Sequence, residues 1–192
     1  MASGRAPIIT LGYGRRTLEE CVALLKAHHV QYVVDVRSSP RSGYKPEFSR
    51  EPLSAAFRRN SLRYVFMGEE LGGRPDDPSC YDDLGHVDYL ACRRRARFAD
   101  GILRLLYASR RGYRVALMCS EGRPETCHRS KLIAEVLKER GVEVLHLDES
   151  DGLRSHEEII DRLQAGQLGL LDDCAANVLH RSRGRYAQVA GS

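Results

Sequence analysis

No run in this 192-residue chain approaches the ~20 consecutive apolar residues of a membrane-spanning helix, so no span is expected. The opening residues, MASGRAPIIT, lack the longer apolar core of a signal peptide, and a cytoplasmic location is the expectation. Neither sign of charge dominates. A net charge of +4 permits an anionic ligand or nucleic acid without demanding either. No internal repeat is visible. The six cysteines follow no regular spacing, which argues against a disulfide framework and for reduced thiols or a metal site. What is present is the mixture of a globular protein, 42% apolar and 29% charged, at a length that fits one domain with a real core.

The stretch from Tyr113 to Leu147 organises the rest. Val115 to Met118 is an apolar run short enough for a strand buried on both faces, and it ends at Cys119. Ser120, Glu121, Gly122, Arg123 and Pro124 break the pattern. From Cys127 the apolar period changes to that of a helix, with Leu132, Ile133, Val136 and Leu137 on one face. Gly141 stops that helix, and Val142, Val144, Leu145 and Leu147 make the next strand. A strand–loop–helix–strand unit implies parallel strands.

Similar units precede it. Pro7 to Leu11 reads as a strand, and Thr17 with Glu20 forms a capping box before a helix that carries Leu18, Cys21, Val22 and Leu25 inward. Tyr32 to Val36 is a second strand, closed by Asp35 and Arg37. A loop runs from Ser38 to Pro46, and Arg41 and Tyr44 in it are placed to cover a ligand. A helix from about Pro52 to Asn60 and a strand from Leu62 to Phe66 follow. Gly68 to Cys80 reads as a long loop. Asp88 to Arg110 is mostly helical, with Arg93, Arg94, Arg95 and Arg97 facing water. Ser155 and Glu158 make another capping box, before a helix to about Gln164. The prediction is a single α/β domain over residues 1–164, with a mainly parallel central sheet flanked by helices. Residues 165–192, with His180, Arg181, Arg183 and Arg185, are expected to form a basic, loosely ordered tail.

In such a fold the carboxyl ends of the strands share one edge, where ligands bind. That edge gathers Tyr13 and Gly14, Asp35 and Arg37, the Cys119 loop, and His146 and Asp148. Three readings of Cys119 and Cys127 compete. They are small apolar fillers of a strand–helix junction. Or they are a redox or nucleophilic pair, with a Cys127 thiolate favoured by the helix N-terminus, Arg123 and Arg129, and His128 as base. Or they are metal ligands together with His128 or His146. Their spacing matches no common zinc ribbon, and the sequence assigns no metal ligand and names no cofactor. Arg37 and Arg129 suit a phosphate or carboxylate, or else ion pairs with Asp35, Glu121 or Asp148.

These same residues resemble the domain of unknown function 488 family, over roughly Ile8 to Leu163. The marks are I-T-L-G-Y-G-R-R-T at 9–17, V-D-V-R at 34–37 before a Ser-Pro turn, Phe48-Ser49 with E-L-G-G at 70–73, and A-L-M-C at 116–119 with C-H-R at 127–129. Tyr13 stands where many relatives have histidine. The resemblance implies an α/β fold and a site around Cys119, Cys127, His128, Arg129 and Arg37. A looser likeness joins Asp-Val-Arg and Cys119-x-x-Gly122-Arg123 to rhodanese sulfurtransferases. It would make Cys119 a persulfide-carrying nucleophile, with Gly122 and Arg123 in its anion loop. Pro124 and Glu125 depart from that pattern, and Glu125 also breaks the Cys-x5-Arg phosphatase signature.

The site residues expected are therefore Cys119, Cys127 and His128 for chemistry and Tyr13, Arg37, Glu121, Arg123 and Arg129 for a small or nucleotide-like anionic ligand. The alternatives are a nucleic-acid-binding module using Arg93 to Arg97 and the tail, and a metal- or redox-responsive regulatory domain.

Overall fold

The computed structural model describes residues 4–165 and 179–186. Its centre is a six-stranded sheet in the order β3-β2-β5-β1-β6-β7. The strands are β1 (Ile8–Gly12), β2 (Tyr32–Asp35), β3 (Arg63–Phe66), β5 (Val115–Cys119), β6 (Val144–Leu147) and β7 (Leu153–Ser155). All pairings are parallel except that of β7, which turns back antiparallel on β6. The parallel α/β prediction holds, and the continuous apolar runs follow from a sheet covered on both faces.

Alternation along each strand splits the core into two layers. Ile9, Leu11, Val33, Ala116 and Met118 meet Cys21, Val22 and Leu25 of α1 (Leu18–Ala27) and Leu53 and Phe57 of α2 (Arg50–Arg59). Ile8, Val34, Val115, Leu117 and Cys119 face the opposite layer. That layer holds α3 (Gly68–Leu71), α4 (Tyr89–Arg93), α5 (Ala96–Arg110) and the helix after β5. Both expected capping boxes are formed. Thr17 Oγ1 accepts from Glu20 N–H while Glu20 accepts from Thr17 N–H, and Ser155 and Glu158 repeat the exchange.

Three local expectations change. The supposed long loop contains α3 and a 3-10 turn at Pro78–Cys80, capped by Asp77. The helix over Asp88 to Arg110 is broken at Arg94 and Arg95 into α4 and α5. The helix after β5 opens at Arg129 as one π-helical stretch, Arg129–Ala134, and continues as α6 (Glu135–Glu139). Its apolar face is as expected, but all six π-helical residues are buried, Arg129, Ser130 and Lys131 included. A helix buried all round cannot be recognised by a single apolar stripe.

A second, two-stranded ribbon pairs β4 (His86–Asp88) with β8 (Arg181–Arg185) antiparallel. The final helix, α7 (His156–Ala165), precedes it. Much of the expected tail, 166–178 and 187–192, lies outside the described residues. Among the described residues, no helix is long and apolar enough to cross a membrane.

Candidate functional site

β5 lies between β2 and β1. The chain leaves β1 and β2 toward the layer of α1 and α2, but leaves β5 toward the other layer. Adjacent strands whose connections part in this way leave a crevice at their carboxyl ends. Cys119 is the last residue of β5, in register with Gly12 of β1. Backbones crowd behind it. A Cβ on Gly12 would lie 1.7 Å from the carbonyl oxygen of Glu121, so only glycine fits.

The crevice opens into a cavity of about 660 Å³. Cys119, Cys127 and His128 lie in its wall, beside Tyr13, Arg37 and Glu121. The thiols and the imidazole are buried and converge, with their ligand atoms all within 4.8 Å of one another. Cys127 Sγ is 3.6 Å and Cys119 Sγ 4.0 Å from His128 Nδ1. His128 Nε2 is 3.0 Å from the carbonyl oxygen of Val36. A carbonyl only accepts, so Nε2 carries the proton, and in the neutral ring the bare nitrogen is Nδ1, facing both sulfurs. The glycine at 73 lets the ring sit there. A Cβ at that position would be 2.6 Å from His128 Cγ.

The two thiols are unequal. Cys127, His128 and Arg129 close by hold the Cys119 thiol well below its ordinary pKa, against the burial that would raise it. Burial pushes the Cys127 thiol up, and its bond to Cys119 adds to the effect. Cys119 is therefore the more acidic of the two thiols, whereas helix position alone favoured Cys127. The other described cysteines differ. Burial raises the Cys21 thiol to about 12, and Cys80 and Cys92 are raised chiefly for the same reason.

The arginines divide by role. Arg37 is buried against Asp35, with Nε to Oδ1 at 2.9 Å and Nη2 to Oδ2 at 2.6 Å. Burial opposes its charge, and the carboxylate more than offsets that, so its pKa is raised. Its remaining nitrogen, Nη1, reaches the Tyr13 hydroxyl at 3.4 Å. Arg129 is fully buried and braces the loop from behind, bonding the carbonyls of Glu121 and Gly122 and the Thr10 hydroxyl. Thr10 in turn joins a buried chain to His146, His156 and Glu135. Arg123 points away, paired with Glu125.

Of the expected site residues, the cavity thus brings together Cys119, Cys127, His128, Tyr13, Arg37 and Glu121, and excludes Arg123 and Arg129. His146 and Asp148 stand beyond β1 and do not line it. The cavity also takes in residues the sequence reading left out. Arg74 lies in the stretch read as loop, over the ring of Tyr186 at 3.9 Å. Arg183 comes from β8, and Tyr89 from the first turn of α4. No linear signal joins them to Cys119. Arg41, expected to cover a ligand, is in the wall, whereas Tyr44 is not. In all, four arginines and one carboxylate line the cavity. Most of the basic run of the helix is spent elsewhere: Arg93 pairs with Glu139, Arg95 with Asp76 and Asp77, and Arg97 with Glu69, while Arg94 is exposed.

One comparison gives a match. The sequence profile described as "Domain of unknown function DUF488" covers residues 17–137. No curated protein and no solved structure matches the chain.

Proposed function

We propose, from the premise that the chain belongs to the DUF488 family, that its cavity binds a small or nucleotide-like anion and presents it to the Cys119 thiolate. One observation carries the reading: four arginines and a single carboxylate line the cavity whose wall holds Cys119. Arg41, Arg74 and Arg183 are exposed at the cavity, and none is in an ion pair among the described residues. An arginine already paired has little charge left for a ligand; an unpaired one grips phosphate or carboxylate in two places. The volume suits a small molecule of nucleotide size. A lowered thiol pKa in a cleft is also the usual mark of a cysteine that reacts. The nucleic-acid alternative is weaker, because three of the four helix arginines on which it relied, Arg93, Arg95 and Arg97, already have carboxylate partners.

The test is alkylation of the reduced, metal-free protein by a charged and a neutral reagent of the same reactivity type. Iodoacetate should modify Cys119 faster than iodoacetamide does, the reverse of a free thiol. Inorganic pyrophosphate or ATP should protect it. Replacing Arg41, Arg74 and Arg183 together with glutamine should abolish both effects. A wild-type protein with no anionic preference and no protection would overturn the reading.

A further inference from the structure

The linear spacing matches no common zinc ribbon, but the three-dimensional arrangement supports the reading of these residues as metal ligands. Three soft or borderline donors, two sulfurs and one imidazole nitrogen, are buried together at the foot of the cavity. The orientation of the ring is the telling point. His128 Nδ1 favours neither thiol strongly: it lies 3.6 Å from one and 4.0 Å from the other. A base activating a single nucleophile would be aimed at that nucleophile. A nitrogen at comparable distances from two sulfurs can share one ion with both. The opposite ring nitrogen is fixed by a backbone carbonyl, the outer bond that histidine ligands of metals usually make.

The distances allow a direct check. A tetrahedral ion with Zn–S of about 2.3 Å and Zn–N of about 2.05 Å would set each sulfur about 3.6 Å from the nitrogen and the two sulfurs about 3.8 Å apart. Cys127 already meets that spacing, at 3.6 Å, and Cys119 needs to close by only a few tenths of an ångström from 4.0 Å. The sulfurs are within 4.8 Å of each other. Among the described residues, no fourth protein donor joins the group. Two thiolates and an imidazole select a thiophilic ion of the zinc class over magnesium or calcium, which take oxygen.

We propose that Cys119, Cys127 and His128 form a three-ligand site for a zinc-class divalent ion, with its fourth position open to the arginine-walled cavity. Closed structural zinc sites use four protein ligands, whereas sites with three leave room for water or substrate. The ion would draw an oxygen of the bound anion to that position. The site shares its cavity with the proposed function but does not depend on it, because the three ligands alone would hold the ion.

The probe is Zn²⁺ itself, added to the full chain after chelation and reduction, in competition with a chromophoric chelator. One ion should bind per chain. Cys119→Ser, Cys127→Ser and His128→Ala should each weaken binding by more than the ~10–100-fold typical of losing an outer partner. Cys80→Ser and Cys92→Ser should leave it unchanged. Cobalt should bind with the near-ultraviolet absorption of a thiolate-bound ion, and lose it in Cys127→Ser. Circular dichroism shows whether each variant is folded, and Gly73→Ala, which displaces the imidazole without removing a ligand, should weaken zinc by a smaller factor. No stoichiometric binding to the wild type, or binding unaltered in a folded Cys127→Ser, overturns the site. The alkylation test uses metal-free protein, so anion recognition can fail or stand independently.

Discussion

Replacing Asp35 by asparagine leaves the fold's shape intact but strands a charge. Asp35 is fully buried and accepts from the Arg37 backbone N–H, from Arg37 Nε and Nη2, and from the Tyr64 hydroxyl at 2.8 Å. Asparagine keeps an oxygen for Tyr64 or the backbone, yet the Arg37 guanidinium, itself only 5% exposed, loses its counter-charge. Removing one partner of such a buried pair costs about 3–5 kcal/mol. Against a total stability of ~5–15 kcal/mol, that is a large share. With a urea slope of about 2 kcal/mol per molar, the midpoint should fall by roughly 1.5–2.5 M. The double variant Asp35→Asn with Arg37→Met removes both charges. Because a buried pair stabilises little relative to apolar replacements, the double variant should recover most of the loss. It should also show a reduced iodoacetate preference at Cys119, since Arg37 Nη1 is gone. Urea unfolding followed by circular dichroism measures the first effect and alkylation the second. A single-variant loss below about 1 kcal/mol would mean that water reaches the guanidinium, and the reasoning about burial would fail.

Other predictions follow from the same geometry. Alkylation of Cys119 should rise with pH around a midpoint well below the ~8.5 of a free thiol, and Cys127→Ala should move that midpoint upward by removing the thiol that favours the Cys119 anion, as mass spectrometry at timed quenches would show. Gly73→Ala should slow that alkylation at neutral pH and shift its pH profile, because the added Cβ displaces His128; an unchanged profile would remove His128 from the account. Asp148 is held down to about 2, against 3.8 when free: burial would raise it, but Arg154, the Ser150 and Gly152 amides and Arg162 outweigh that. A folded-state value below the unfolded one stabilises above about pH 4, and that stabilisation is lost as pH falls toward 2. Asp148→Asn should therefore lose about 2 kcal/mol at neutral pH and show a flatter acid limb.

The parallel core was legible because β1, β2, β5 and β6 are short apolar runs separated by capped helices, and both capping boxes are local in sequence. Cys119, Cys127 and His128 were legible for a related reason. The end of a strand and the start of the next helix must lie on the ligand-binding edge. Their division of labour was not. Which thiol is the more acidic depends on how Cys119, Cys127, His128 and Arg129 meet, and the contacts of Arg129 with loop carbonyls have no linear signature. Nor could the sequence tell paired arginines from free ones. Arg37 and Arg123 look alike until Asp35 and Glu125 are found beside them, and Arg74 and Arg183 lie 109 residues apart yet share a wall.

That wall is divided in its ancestry. The stretch matching the family holds Arg37, Cys119, Cys127 and His128, but Ser182, Arg183, Gly184 and Tyr186 come from the β8 end, well outside it. The ribbon carrying them pairs with a strand of only three residues, so few backbone bonds tie its side chains to the reactive edge. Of the four arginines in the wall, Arg37, Arg41 and Arg74 lie within the matched stretch with the thiols and the imidazole, and Arg183 lies outside it. A relative could trade the ribbon for another and so reshape one side of the cavity while Cys119, Cys127 and His128 stay where they are.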